Sequence, residues 1–185
     1  MKQLHMRRDG RPILSRQLPA GYAFVSYSGQ KEQVNAWLEL CYDTLIPEKD
    51  AVWFERSIVE YQDLIPPRDL FFVQQVSSGK LVATTAAVCH GAQGYVHMVA
   101  ADPCVRGKGI GHAMLAHSLE QLAALGCTHT VLTTDDFRLA AIKTYLDAGF
   151  CPVLVPDPES DMKARWDAVL EALKYTRPVT YLSEE

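Results

Sequence analysis

The sequence predicts a mixed α/β domain of the α+β kind, with a mostly antiparallel central sheet flanked by helices. Three observations carry that reading. Apolar residues recur at helical spacing in some segments and alternate in others. Two β-rich runs, LFFVQQV and LVATTAAVC, are separated by a turn only a few residues long. Beyond residue 109 the chain reads helix, strand, helix, strand, helix. At 185 residues it is long enough to bury one sizeable core.

Residues 1–20 are polar and interrupted by proline, and they read as an N-terminal arm ahead of a single domain over 21–185. GYAFVSYSG (21–29) reads as the first strand. Val34, Trp37, Leu38, Cys41 and Leu45 then share one helical face. A second helix is expected across AVWFERSIVEYQDLI, stopped by Pro66 and Pro67. The two β-rich runs follow, joined at Ser77-Ser78-Gly79-Lys80, and GYVHMVAADP adds a strand closed by Pro103.

The longest helix is expected over about 109–125, burying Ile110, Met114, Leu115, Leu119, Leu122 and Ala123, with His117 on its other side. CTHTVLTT is β-branched and suits a fully buried strand. Asp135 or Asp136 is placed to cap the helix RLAAIKTYLDA, and Gly149 to end it. FCPVLVP reads as a strand near a sheet edge, because proline cannot complete a ladder. Asp157-Pro158 opens a last helix with Met162, Trp166, Val169, Leu170 and Leu173 on one face, and RPVTYLSEE ends in a short strand.

A net charge of −4 gives no basic face for nucleic acid, so no nucleic-acid partner is expected. No apolar run approaches the roughly 18 residues that a membrane span needs. MKQLHMRRDGRPIL carries charge where a signal peptide needs an apolar core, so no membrane partner and a cytoplasmic location are expected. The five cysteines are scattered without metal-ligand spacing and read as buried free thiols, with no metal.

The chemistry-bearing stretch is DPCVRGKGIGHAM (102–114), whose glycines open the longest helix. Glycine weakens a helix, so another requirement must want bare backbone there. A Walker phosphate loop fails, because Lys108 is followed by Gly109 with no Ser or Thr to hold magnesium. A dinucleotide fingerprint is weakened by Met114 at its third glycine position, although Asp135 lies at a tolerable distance. The third pattern is Arg-x-x-Gly-x-Gly at Arg106, Gly109 and Gly111. Successive exposed amides at a helix start form an anion nest aided by the helix dipole.

The run YVHMVAADPCVRGKGIGHAML resembles the acetyl-CoA-binding motif of the GNAT superfamily (Gcn5-related N-acetyltransferases). RLAAIKTYLDAGF resembles that superfamily's later helix through Ala141, Ile142, Tyr145, Gly149 and Phe150, with Arg138 standing where Asn is usual. The likeness spans roughly residues 21–156 and implies the GNAT-type mixed sheet. It implies that main-chain groups of Val99, Ala100 and Ala101 pair with the pantetheine arm. Amides across Arg106, Gly107, Lys108, Gly109, Ile110, Gly111 and His112 would hold the pyrophosphate, and Arg138 would face the cofactor.

The implied reaction is direct attack of an amine on the thioester of acetyl-CoA. A lysine-like ammonium must first lose its proton, which costs roughly 4 to 5 kcal/mol at neutral pH. Tyr145 is placed by the resemblance to protonate the departing thiolate, although a buried core tyrosine would look the same. Many superfamily members carry Glu where this chain has Tyr95, which leaves the base open. His97 shares a strand face with Tyr95 and is one candidate; His90 is another. Glu55 and Glu60 are candidates for the acceptor side. A catalytically inactive acyl-CoA-binding module and a nucleotide-dependent oxidoreductase remain as alternatives. The amine acceptor is not readable, and relatives are often homodimers.

Overall fold

The computed structural model describes residues 3–155 and 160–183. Its frame is an eight-stranded sheet in the order β2-β3-β4-β5-β6-β1-β7-β8. The strands are β1 (Leu4–Asp9), β2 (Tyr22–Ser26), β3 (Leu70–Gln75), β4 (Leu81–His90), β5 (Gln93–Ala101), β6 (His129–Thr134), β7 (Cys151–Leu154) and β8 (Leu182–Ser183). Neighbours run antiparallel except β5–β6 and β7–β8. The expected hairpin is present, with Gly79 at φ +73° in its turn.

The expectation of an N-terminal arm is overturned for residues 4–9, which form β1 in the interior of the sheet between β6 and β7. Leu4 and Met6 are completely buried in the main core. The third inward residue is Arg8, and that charge hides the strand's alternation. Its guanidinium is 5% exposed and is satisfied by carbonyls instead of a carboxylate. Nε donates to Ala148 O at 3.0 Å, and Nη2 donates to Arg11 O at 2.7 Å and to Pro12 O at 2.9 Å.

Two helical layers cover the sheet. On one face lie α1 (Lys31–Cys41) and α2 (Ala51–Phe54), packing Trp37, Leu38, Phe54 and Ile58 over Phe72, Ala86 and Val88. The predicted 51–65 helix is shorter than its pattern. α2 passes into a π-helical turn at Glu55–Val59, and Asp63 then adopts φ +63°. Pro66 and Pro67 stop nothing; they sit in the first turn of a one-turn helix, α3 (Pro66–Asp69), where a missing N–H costs little.

On the other face lie α4 (Ile110–Ala124), α5 (Leu139–Asp147) and α6 (Met162–Ala172). α4 is buried almost all round, which differs from its expected pattern. Ser118 is inside, with Oγ donating to Met114 O at 3.0 Å, whereas Ala123 is exposed. His117, expected outside, stacks on Phe24 at 4.2 Å. Gly149 ends α5 at φ +90°, with Phe150 N donating back to Tyr145 O. Neither Asp135 nor Asp136 caps α5. Asp135 accepts from Gln3 and Arg138, and Asp136 binds Arg165 of α6. Met162, Trp166 and Val169 of α6 are buried as their spacing requires, and Leu170 and Leu173 partly so. The proposed helix start at Asp157-Pro158 lies outside the described residues.

Candidate active site

The parallel pair β5–β6 is joined only at its beginning, Gln93↔His129, Gly94↔Thr130 and Tyr95↔Val131. Beyond Tyr95, β5 keeps pairing with β4 and β6 with β1, so the two strands part. The resulting split opens toward the carboxyl ends of parallel strands, the place where open α/β sheets accept ligands. A bulge marks its β5 side. Ala86 pairs with His97 and Thr84 with Ala100, so Met98 and Val99 oppose the single residue Thr85. Met98 sits at φ +51°.

Gly94 anchors the closed end. A Cβ there would lie 2.8 Å from Leu122 Cδ1, so only glycine lets α4 settle this close to β5. A lone glycine in a strand carries no local signal of this role, because the crowding comes from a helix distant in the chain. At the same end Tyr95 reaches across the split, its hydroxyl 2.9 Å from Thr133 Oγ1.

The open end is flanked by the loop after β5 and the loop after β6. In the first, Asp102 caps a 3-10 turn, accepting from Cys104 N at 2.9 Å and from Lys80 Nζ at 2.6 Å. The Lys80 hydrogen bond holds the Asp102 carboxyl well down, to about 2. Val105 and Ile110 plug into the core on either side of an exposed Arg106-Gly107-Lys108-Gly109 arch. Gly107 and Gly109 have φ +74° and +80°. A Cβ added at Gly107, Gly109 or Gly111 would meet nothing within 4 Å. Internal packing therefore does not require these glycines, and the space before the α4 amides is open. A hollow of about 470 Å³ adjoins it, lined by Arg16, Gln17, Pro19, Lys108, Gly109 and His112. The hollow's cationic lining, Arg16 and Lys108, lies beside the start of α4, the end of a helix that favours anions. Arg16 and Gln17 carry no sequence signal for this place, since it is the path of the chain between β1 and β2 that brings them beside the arch. Lys108 leans toward β2, its Nζ 3.2 Å from Tyr22 Oη, and His112 Nε2 is 3.8 Å from Asp147.

Tyr145 is buried in the α5 face of the core, 6.1 Å from the Phe150 ring. Burial raises its phenol to about 12, although the nearby Arg138 charge acts the other way. It is therefore fully protonated at neutral pH. Arg138 is held by protein partners outside the glycine arch. Its Nε donates to Asp135 Oδ2 at 2.9 Å, and its Nη2 donates to the carbonyl of Thr44.

His97 faces the α1/α2 layer. Its Nε2 donates to Ser57 O at 2.9 Å, and its ring stacks on Tyr61 at 4.1 Å. A carbonyl can only accept, so the proton resides on Nε2 and Nδ1 carries the lone pair. Burial lowers its pKa to about 4. His90 is farther along β4 and pairs with Asp63, Nδ1 to Oδ2 at 2.7 Å. Glu55 and Glu60 are both exposed on the π-helical turn. A second hollow, about 540 Å³, lies on this face where α1 and α2 leave the sheet uncovered; His5, Arg7, Tyr61, His90, Tyr95 and Thr133 line it.

The thiols differ from expectation. Cys41 and Cys151 are buried, Cys104 is exposed, and Cys89 and Cys127 are half-buried with sulfurs 3.3 Å apart. Among the described residues, no three His, Cys, Asp or Glu side chains are grouped to hold a metal ion, and no helix is long and apolar enough to cross a membrane.

Residues 32–150 match the acetyltransferase (GNAT) family model. The chain is 28% identical to a mycothiol acetyltransferase of Beutenbergia cavernae over 151 residues, covering 80% of this chain and 51% of that protein. It is 33% identical to the mycothiol acetyltransferase of Mycobacteroides abscessus over 91 residues, covering 48% of this chain and 31% of that one. The chain thus spans about half the length, or less, of these curated relatives. Among solved structures, a GCN5-related N-acetyltransferase from Sphaerobacter thermophilus superposes with a TM-score of 0.65 at 19% identity, covering 80% of this chain and 47% of that one. A Mycobacterium tuberculosis protein solved in complex with CoA gives 0.55 at 20% identity, covering 83% and 89%.

Proposed function

The chain belongs to the GNAT acetyltransferase family, and from that premise we propose that it transfers the acetyl group of acetyl-CoA to a primary amine. The observation that carries this reading is the opening of β5 from β6 beside a glycine arch with open space where its side chains would stand. Main-chain groups of the Val99 to Ala101 stretch on the side away from β4 suit the pantetheine arm, and the amides of 107–112 with Arg16 suit the pyrophosphate, the Arg106 amide being taken by Pro103 O. When bound there, acetyl-CoA supplies the activated acyl group.

The residues of the split then divide the work. Apposition of the two reactants supplies much of the acceleration. The amine nitrogen forms its bond to the thioester carbonyl carbon and the carbon–sulfur bond breaks. Tyr145 delivers its phenolic proton to the departing sulfur. With a pKa near 4, neutral His97 is a weak base at pH 7, so its role is to order the acceptor side through Nδ1 and the Tyr61 stack. The amine proton leaves toward the second hollow, where Tyr95 and His90 lie. A cytoplasmic setting, where acetyl-CoA is made and thiols stay reduced, accords with five free cysteines.

The test is release of free CoA thiol from acetyl-CoA across a panel of small amines, polyamines, aminoglycosides, peptides and the acceptor of the mycothiol acetyltransferases. Turnover of at least one amine is expected. Tight acetyl-CoA binding with no turnover of any would turn the assignment toward a non-catalytic binding module. A thermal shift with NAD and none with acetyl-CoA would refute the donor.

A further inference from the structure

Arg138 stands where the family resemblance expects asparagine, and its side chain is held by protein partners outside the glycine arch. One edge of its guanidinium is neutralised by Asp135, Nε to Oδ2 at 2.9 Å, and Asp135 is itself held by Gln3 Nε2 at 3.1 Å. The other edge donates to the carbonyl of Thr44. Thr44 lies in the turn after α1, where Cys41 O accepts the amides of Thr44, Leu45 and Ile46, and Asp43 N donates to Ile46 O. That turn packs with the α1/α2 layer through buried Ile46. Arg138 opens α5, which belongs to the opposite layer. One side chain therefore ties the two layers together across the open end of the split. Its charge acts on both Tyr145 and Cys41, opposing the rise that burial imposes on each.

An arginine held this way commits its Nε and one Nη2 hydrogen to protein acceptors, which aims the fork at Asp135 and Thr44. Its tether fixes the 42–46 turn of the α1/α2 layer, the same packed cluster that supplies Tyr61 to the wall of the second hollow. Resting on the acetyltransfer reading above, we infer that Arg138 is a positioning residue for the amine acceptor: it fastens the 42–46 turn beside Tyr145 and leaves acetyl-CoA binding to the glycine arch. The guanidinium fork makes two separate hydrogen bonds in fixed geometry, which a lysine ammonium cannot reproduce.

Arg138→Met keeps most of the stem and removes both bonds. Hydrogen exchange of amides 42–46 is expected to quicken about tenfold or more, the weight of one charge-assisted hydrogen bond. KM for the amine turned over fastest in the panel is expected to rise by a similar factor, while the acetyl-CoA dissociation constant stays within about twofold. Arg138→Lys is expected to fall between wild type and Met in both readouts. Unchanged exchange at 42–46 overturns the tether, and a tenfold loss of acetyl-CoA affinity with an unchanged amine KM overturns the assignment to the acceptor. If no amine is turned over, the acetyltransfer reading fails on its own, and the exchange and binding measurements still decide whether Arg138 holds the turn.

Discussion

Arg8 on β1 donates through Nε to the carbonyl of Ala148 at 3.0 Å, joining an interior strand to the end of the helix that carries Tyr145. The contact is a cationic stopper at a helix C-terminus, where the backbone dipole favours positive charge. Arg8→Met would leave three part-buried carbonyls short of a donor. It should destabilise the fold by about 2 to 4 kcal/mol, read as a lowered denaturant midpoint.

Gly111 separates ligand binding from folding. A Cβ there meets no protein atom within 4 Å, and its backbone is not in the left-handed region. Gly111→Val should therefore shift Tm little, the helix-propensity change being a gain of under about 1 kcal/mol. Acetyl-CoA affinity measured by calorimetry should fall at least about tenfold, because the branched side chain enters the nest. Wild-type affinity would remove the arch from the site.

Tyr145→Phe deletes one hydroxyl from a buried ring. Turnover of the best amine should fall by about 10²-fold or more while acetyl-CoA binds as before, the pattern of a lost proton donor. Equal turnover would return Tyr145 to a packing role.

His97 links the site to acid stability. Its folded pKa, about 4, lies below the ordinary histidine value of 6.5. Between those values the unfolded chain binds more protons, so stability is fully present above about pH 6.5 and is lost as pH falls toward 4. His97→Asn should flatten that part of the stability–pH curve, as followed by urea unfolding at pH 7 and pH 4.5. An unaltered slope would show that another group carries the acid sensitivity. Tyr145 has the opposite sign: its phenol is raised to about 12, so its contribution is present below about pH 10 and lost as pH climbs toward 12.

The glycine arch, the hairpin, the Gly149 helix stop and the long α4 were legible because each is local. A positive-φ turn, a period of two or a run at 3.6 residues can be read from neighbours in the chain. β1 was not legible, because its third inward position is Arg8. A buried guanidinium looks like surface until the carbonyls of Arg11, Pro12 and Ala148 are brought around it. The π-helical turn at Glu55–Val59 also escaped, since nothing in its composition distinguishes it from α-helix.

The sequence by itself determined the donor side: the glycines and the later helix specify a cradle and a fold, through short-range backbone conformation that a few residues dictate. Only the tertiary structure decided how the surroundings of the split are arranged. The parting of β5 from β6, the Arg138 bridge to Thr44, the locking of His97 onto Ser57 and the hollow beneath Tyr61 all join residues distant in the chain. Such contacts are settled by how whole layers pack, and no local pattern of residue types records them.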